Sequence, residues 1–333
     1  MNSADRASPR VSYSFLKLMT GSDLANRRLP MLGCVSVNPG PVVWLTACSH
    51  GDEVGGIAVI HDLFRRLQRQ LLCGAVHAFP LMNPLGFESG TRNITISRED
   101  LNRSFPGNLQ GSLGERIAAR IFTRILDAAP NLVLDLHNDW IRSIPFALLD
   151  PATAALPAGA YERTCALARE TGLCTIIETD AVENSLTYNL LARGIAAITL
   201  ELGESRVVNE THVASGIGAI WNVLAHLGLV VPLTEPFRYP LPPRYAQGDM
   251  LRYSDKPVGS KSGIIRFLVE PGTEIRAGQA FARITNAFGK HQETVKATQD
   301  AIVLGHSDSA AVFPGMPIMA FGIGAEPPNV GAA

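Results

Sequence analysis

The stretch Val42-Val43-Trp44-Leu45-Thr46-Ala47-Cys48-Ser49-His50-Gly51-Asp52-Glu53 decides how this chain folds. Its first six residues are apolar and β-branched, as in a buried strand. From Ile57 the apolar positions fall at Ile57, Ile60, Leu63, Phe64, Leu67 and Leu71, which is helical spacing. His50-Gly51-Asp52-Glu53 therefore sits at the carboxyl end of a strand and just before a helix. Open α/β sheets place their ligands at that edge. A histidine and a glutamate three residues apart can turn there toward one point. An imidazole and a carboxylate with coordination positions left open are what a catalytic zinc requires, so a third ligand and a base must come from elsewhere in the chain.

Strands and helices alternate outward from this run. The pattern predicts strands at Val42–Ala47, Ala75–Pro80, Leu132–Leu136, Cys174–Glu178 and Ala196–Leu200. It predicts helices at Gly55–Leu72, Leu113–Asp127, Tyr161–Thr171 and Thr211–Leu227. Ser112 followed by Glu115 is a capping-box signature, and Gly228 suits a helix end. Such alternation predicts an α/β fold with a mainly parallel, mixed sheet and helices on both faces. Residues 11–41 are expected to add edge strands or a lead-in. At Pro232 the composition changes: five prolines between Pro232 and Pro243 read as a linker. Beyond them, short strand-like runs (Gly263–Val269, Ala280–Thr285, Glu293–Ala297, Ala301–Leu304, Ile318–Phe321) alternate with turn signals such as Pro271-Gly272 and Pro314-Gly315. The expected division is an α/β catalytic domain over 1–235 and a small all-β domain over 236–333.

Two further strand ends carry chemistry. The run Leu132-Val133-Leu134-Asp135-Leu136 leads into His137, and Asp135 and His137 face the same way, so Asp135 could orient an imidazole or be satisfied at a helix N-terminus. The strand ending at Leu200 leads into Glu201-Leu202-Gly203-Glu204. A carboxylate beside a zinc site is placed to take a proton from water and pass it to a leaving amine. Glu201 is the first candidate, with Glu204 and Glu178 as rivals. The long irregular stretch after Pro80 holds Asn83-Pro84, Arg92, Arg98 and Asp100-Leu101-Asn102-Arg103, and such stretches in compact domains are commonly functional. An Asn-Arg pair offers an amide and a planar fork for a carboxylate. A separate arginine can stabilise an oxyanion.

Composition excludes several classes. The chain has 333 residues, 46% hydrophobic and 18% charged, with a formal net charge of −1; this is a well-packed protein with no basic stripe for nucleic acid or an anionic membrane. No apolar run approaches the roughly 20 residues needed to span a bilayer. Met1–Arg10 is polar and lacks a signal-peptide core. Five cysteines without a CxxC pair (Cys34, Cys48, Cys73, Cys165, Cys174) read as thiols of a reducing, cytoplasmic compartment.

Taken together, His50-x-x-Glu53, Asn83-Pro84, Asp100-Leu101-Asn102-Arg103, His137 and Glu201-x-Gly203 resemble the zinc carboxypeptidase fold family. More closely they resemble its succinylglutamate desuccinylase/aspartoacylase branch, and within it the N-acetyl-diaminobutyrate deacetylase-like subgroup. The resemblance spans residues 50–203. It implies a zinc-dependent amidohydrolase that releases an acyl group from a small N-acyl amino acid, with one Zn2+ per chain. Carried over residue by residue, His50, Glu53 and His137 would bind zinc and Glu201 would be the general acid/base. Asn102 and Arg103 would hold a substrate carboxylate, and Arg92 would polarise the scissile carbonyl, with Arg98 competing for that role. The residue that reads the acyl side has no match, which leaves acetyl, succinyl and other dicarboxylic groups open. A diamino acid, as in ectoine degradation, is the amine product this subgroup suggests. The carboxyl-terminal runs resemble the β-domain of this branch and, more distantly, biotinyl/lipoyl domains. That domain would narrow the mouth of the site or form a contact in a homo-oligomer. Other readings of the same residues are a metallocarboxypeptidase for short peptides and a binding protein that has lost its chemistry.

Overall fold

The computed structural model describes residues 8–324 except 22, 23, 25, 247 and 308, so the polar segment before residue 8 lies outside the described residues. The first half of the chain contributes β1 (Arg10–Thr20), β2 (Asn26–Val35), β3 (Val42–Ala47), β4 (Ala75–Phe79), β5 (Leu132–His137), β6 (Arg142–Ser143) and β7 (Pro145–Leu149). It is followed by β8 (Cys174–Ile177), β9 (Ala196–Leu202) and β10 (Met250–Ser254). The carboxyl-terminal strands are β11 (Gly263–Phe267), β12 (Glu274–Ile275), β13 (Ala280–Thr285), β14 (His291–Lys296), β15 (Ala301–His306), β16 (Ala311–Val312) and β17 (Met319–Ile323). The helices are α1 (Gly55–Gln70), α2 (Pro84–Ser89), α3 (Leu113–Asp127), α4 (Ala158–Glu170), α5 (Leu186–Leu191) and α6 (Glu210–His226). Among the described residues no helix is long and apolar enough to cross a membrane.

The main sheet runs β1-β2-β4-β3-β5-β9-β7-β8-β10-β17-β15-β12, with β6 attached to β15. Its strands are buried on both faces because successive side chains serve two cores. Val43 and Leu45 of β3 and Leu132, Leu134 and Leu136 of β5 pack with Val59, Ile60 and Leu63 of α1 and Val213, Ile217 and Ile220 of α6. Trp44, Val133 and Ala197 point the other way, to Ile117, Ile121 and Ile125 of α3 and Leu186 and Leu190 of α5. That period of two explains why β3 and β5 read as continuous apolar runs. The Ser112–Glu115 capping box at the start of α3 forms as its sequence predicts, with Glu115 N donating to Ser112 Oγ and Ser112 N to Glu115 Oε2.

The sheet is mixed, as expected, but the expectation that it is mainly parallel is corrected. Parallel pairing is confined to β4–β3–β5–β9 and to β7–β8–β10. The β1–β2 hairpin joins β4 antiparallel at one side. The decisive reversal is β7, which the sequence pattern did not reveal: it lies beside β9 but runs against it. A strand of Pro-Phe-Ala-Leu-Leu is short and apolar, and nothing local states which way it enters a sheet.

The carboxyl-terminal strands divide between two sheets. β14-β13-β11-β16 form a separate four-stranded sheet, whose Ile265, Phe281 and Ile284 pack against Ile275, Val303 and Phe321 of the main sheet. The main sheet itself crosses the proline-rich stretch, because β10 pairs parallel with β8. A further apolar cluster joins Phe146 and Ile176 to Leu251, Ile302 and Leu304.

Candidate active site

The end of β3 is bent by its backbone. Cys48 adopts φ 54, a left-handed conformation that costs energy for a residue with a Cβ, and the chain turns there to bring His50 and Glu53 inward. Gly51 is required by close approach: a Cβ on it would lie 1.9 Å from the Gly86 carbonyl carbon. The loop is pinned by Gly51 N donating to Arg92 O and Asn83 N donating to Cys48 O. Thus the Asn-Pro start of the following loop, with Asn83 also capping α2 through Gly86 N, holds the His-Gly-Asp-Glu turn in place.

His50, Glu53 and His137 converge, all three buried, with one candidate ligand atom from each within 4.8 Å of the others. His50 Nδ1 lies 2.6 Å from Glu53 Oε1, and His137 Nδ1 lies 2.7 Å from Glu53 Oε2. The opposite ring nitrogens are both held by carboxylates: His50 Nε2 by Asp100 Oδ1 at 3.0 Å and His137 Nε2 by Asp135 Oδ2 at 2.9 Å. Asp135 is oriented in turn by Thr46 Oγ1 at 2.7 Å. Two imidazoles whose outer nitrogens meet carboxylates, and whose inner nitrogens face a third carboxylate, are a donor set that could hold a divalent metal ion. Asp135 thus orients an imidazole, one of the two roles its spacing allowed.

The electrostatics are those of a charge cluster. Burial raises the carboxyl of Glu53, but the His50 and His137 charges and hydrogen bonds outweigh it and hold that carboxyl well below the usual range. Burial likewise opposes the charged form of His137, and Asp135 and Glu53 overcome it and drive its pKa upward. Asp100 is held low against its burial by His50, Arg92 and Arg103. Burial, with Glu53 and Asp52 adding to it, pushes the Cys48 thiol up to about 12, which disfavours its thiolate.

The pair His137 and Glu201 are direct neighbours across β5 and β9. Glu201 lines the same cavity of about 200 Å3 as the three candidate ligands. Its Oε2 is shielded from solvent and has no hydrogen-bond partner among the described residues. Burial pushes this carboxyl up to about 7, with the His137 charge pulling it down and Glu53 pushing it further up. The rival Glu204 is engaged elsewhere, 2.7 Å from His212 Nδ1 and bonded by Asn209. Gly203 between them has φ 80, and a Cβ there would meet the His212 ring at 2.1 Å. The Glu-x-Gly spacing is therefore fixed by a close approach.

Asn102 and Arg103, in a single 3-10 turn at Leu101–Arg103, both line the cavity. Asn102 is anchored by accepting from Leu186 N at 2.9 Å, and its amide nitrogen lies 3.4 Å from His137 Nε2. Arg103 braces on Asn102 O at 2.8 Å. Arg92 stands at the rim, 3.4 Å from Glu53 Oε1 and 3.2 Å from Asp100 Oδ2. Its competitor Arg98 is exposed and does not line the cavity.

Sequence reasoning missed three contributors. Asp100 stands in the quoted Asp-Leu-Asn-Arg run but had no role there. Asn138 follows His137 directly: its backbone N–H donates to Glu53 Oε2 at 3.1 Å, and its amide links Gly55 N to the carbonyls of Leu202, Gly203 and Glu204. Tyr253 reaches the cavity from β10, and no local signal ties it to residues some two hundred positions earlier.

Comparison with known proteins agrees with this geometry. Residues 39–227 match the model of the succinylglutamate desuccinylase/aspartoacylase catalytic domain. The N-alpha-acetyl-L-2,4-diaminobutyric acid deacetylase of Halomonas elongata is 31% identical over 291 residues, covering 82% of this chain and 80% of that protein. Among solved structures, a succinylglutamate desuccinylase/aspartoacylase from Rhodobacter sphaeroides superposes with a TM-score of 0.79 at 24% identity, over 96% of this chain and 97% of its own. The product-bound ectoine utilization protein EutE (DoeB) from Ruegeria pomeroyi gives 0.78 at 22% identity, over 95% and 96%. With more than half its length matched by the family's catalytic domain, and with a relative 31% identical over 82% of it, the chain belongs to the succinylglutamate desuccinylase/aspartoacylase family.

Proposed function

We propose that this protein is a zinc-dependent amidohydrolase that releases the acyl group of a small N-acyl amino acid. The observation that carries the reading is the convergence of His50, Glu53 and His137 in a cavity also lined by Glu201, whose Oε2 has no hydrogen-bond partner among the described residues. His50, Glu53 and His137 would hold one zinc ion per chain, since two imidazoles and a carboxylate leave a coordination position open. Bound there, zinc supplies Lewis acidity, which polarises an amide carbonyl and lowers the pKa of water. The chain's own residues do the rest. Glu201 accepts the proton from water at one carboxylate oxygen and returns it to the leaving amine nitrogen, and burial, which raises its carboxyl, favours its holding the proton between the two steps. Arg92, at the rim beside Glu53, faces the negative charge that grows on the carbonyl oxygen. Arg103, braced by Asn102, offers its fork to the amino acid's carboxylate.

The Halomonas elongata relative is named for deacetylating a diamino acid. On that likeness acetyl is the acyl group we favour and a diamino acid the product. The five free cysteines fit a reducing compartment, and we place the protein in the cytoplasm. We also read residues 236–333 as a β domain flanking the cavity, because Tyr253 of β10 lines its wall. A longer peptide would meet that wall, which favours small substrates over the peptides of a carboxypeptidase. The test is Glu201→Gln on metal-loaded enzyme, assayed for amine release from N-acetyl amino acids and from dipeptides. We expect zinc to be retained and turnover of the N-acetyl substrates to fall by about 10²–10⁴-fold. Near-normal turnover in the variant would remove Glu201 from the chemistry. Faster cleavage of dipeptides by the parent would make the protein a peptidase, and absence of zinc after careful purification would favour a binding protein.

A further inference from the structure

The reversal of β7 builds a second wall to the cavity. Glu201 of β9 pairs with Phe146 of β7, and Phe146 pairs with Cys174 of β8. From there β7 and β8 run away from the His50–Glu53–His137 cluster and end at Asp150 and Glu178, both of which still line the cavity. Four residues along at about 3.3 Å each and two strands across at about 4.8 Å each put the Cα atoms of Glu201 and Glu178 roughly 16 Å apart. Side chains reaching inward from both ends leave space for one small N-acyl amino acid.

This far wall carries two carboxylates and an aromatic ring. Asp150 is 8% exposed and takes a hydrogen bond from Thr187 Oγ1 at 3.0 Å. Among the described residues Glu178 Oε1 accepts only from the neighbouring Thr179 N, at 2.9 Å. Among the described residues neither forms an ion pair with a lysine or arginine; Arg103 is the cation whose charge both carboxylates feel. Tyr253 lines the same wall. A half-enclosed carboxylate without a cation in contact, next to an aromatic ring, is a receptor for an ammonium group. The cavity is also lined by Glu201, whose Oε2 is shielded from solvent and lacks a hydrogen-bond partner among the described residues.

We propose that Glu178, supported by Asp150 and Tyr253, is a specificity-determining residue that receives an alkylammonium group on the substrate's amino-acid side chain, at the end of the cavity remote from His50, Glu53 and His137. The assignment rests on the deacylase reading and deepens it. Arg103 and Glu178 then read opposite charges on one substrate: the carboxylate and the side-chain amine. A substrate with an acidic side chain meets like charge at the far wall, so the same residues that favour a cationic substrate also reject an anionic one.

The experiment compares metal-loaded parent, Glu178→Gln and Glu178→Lys on N-α-acetyl derivatives of 2,4-diaminobutyrate, ornithine, norvaline and glutamate. Calorimetric binding of free 2,4-diaminobutyrate and norvaline is measured alongside. The parent should prefer the better cationic substrate to the norvaline derivative by about 10- to 100-fold in kcat/KM, the scale of one charge-assisted contact. Glu178→Gln should shrink that ratio at least tenfold, chiefly through KM, and weaken 2,4-diaminobutyrate binding in step. Glu178→Lys should raise the glutamate derivative above the cationic ones. A ratio unchanged in Glu178→Gln, or equal losses on all four substrates, would overturn the proposal and leave Glu178 as a support for Arg103. If the parent cleaves none of the four, the deacylase reading itself fails. The calorimetric preference for 2,4-diaminobutyrate over norvaline, and its loss in Glu178→Gln, then decides the far wall separately.

Discussion

Replacing Asp150 by asparagine should make the protein more stable at pH 8 than at pH 5, relative to the parent. Asp150 is nine-tenths buried. Burial pushes its carboxyl up from 3.8 to about 6; the hydrogen bonds from Thr187 and the Val182 backbone oppose the rise, and the nearby Glu178 charge adds to it. The folded protein therefore holds this proton more tightly than the unfolded chain does. Below pH 3.8 both states are protonated and the group costs nothing. Between 3.8 and about 6 the unfolded chain ionises while the fold resists, so stability falls as pH rises through that window. The gap corresponds to a cost of about 3 kcal/mol at pH 8 and about half that at pH 5. Asparagine keeps the volume and an acceptor for Thr187 but carries no charge. The melting temperature of Asp150→Asn, measured by scanning calorimetry against the parent, should gain about 3 °C more at pH 8 than at pH 5, at roughly 2 °C per kcal/mol. A difference that does not change with pH would refute the reasoning, since the carboxyl would then ionise alike in both states. A buried charge that destabilises its own fold fits a wall built to meet a cation.

Two further outcomes follow from the supporting contacts. Asp135→Ala removes the carboxylate that holds His137 Nε2 at 2.9 Å, and zinc affinity measured by chelator competition should fall about 10- to 100-fold; an unchanged affinity in a folded variant would deny Asp135 that role. Gly51→Ala puts a Cβ 1.9 Å from the Gly86 carbonyl carbon, so the His50–Glu53 turn must move and both melting temperature and zinc content should drop. A variant with parental values for both would show that the turn is not constrained there.

Much of the fold was legible because it is written in periods. β3 and α1 announce themselves through the change from a continuous apolar run to helical spacing at Ile57. The same logic places β5, β9, α3 and α6. His50, Glu53, His137 and Glu201 were legible because parallel strands bring their carboxyl ends to one edge, so residues that end strands become neighbours. Asp100 stood inside a quoted motif and Asn138 directly follows His137, yet their roles depend on which atoms face them: an imidazole nitrogen at 3.0 Å for Asp100 and the Glu53 carboxylate at 3.1 Å for the Asn138 N–H.

The sequence by itself determined an α/β sheet, a His-Glu-His cluster and a carboxylate beside it, since local periodicity and strand-end position follow from residue order alone. Tertiary structure alone decided the direction of β7, the pairing of β10 with β8 and hence the cavity's far wall of Asp150, Glu178 and Tyr253. The physical reason is that strand direction and sheet order depend on long-range hydrogen bonding between segments that carry no local record of each other.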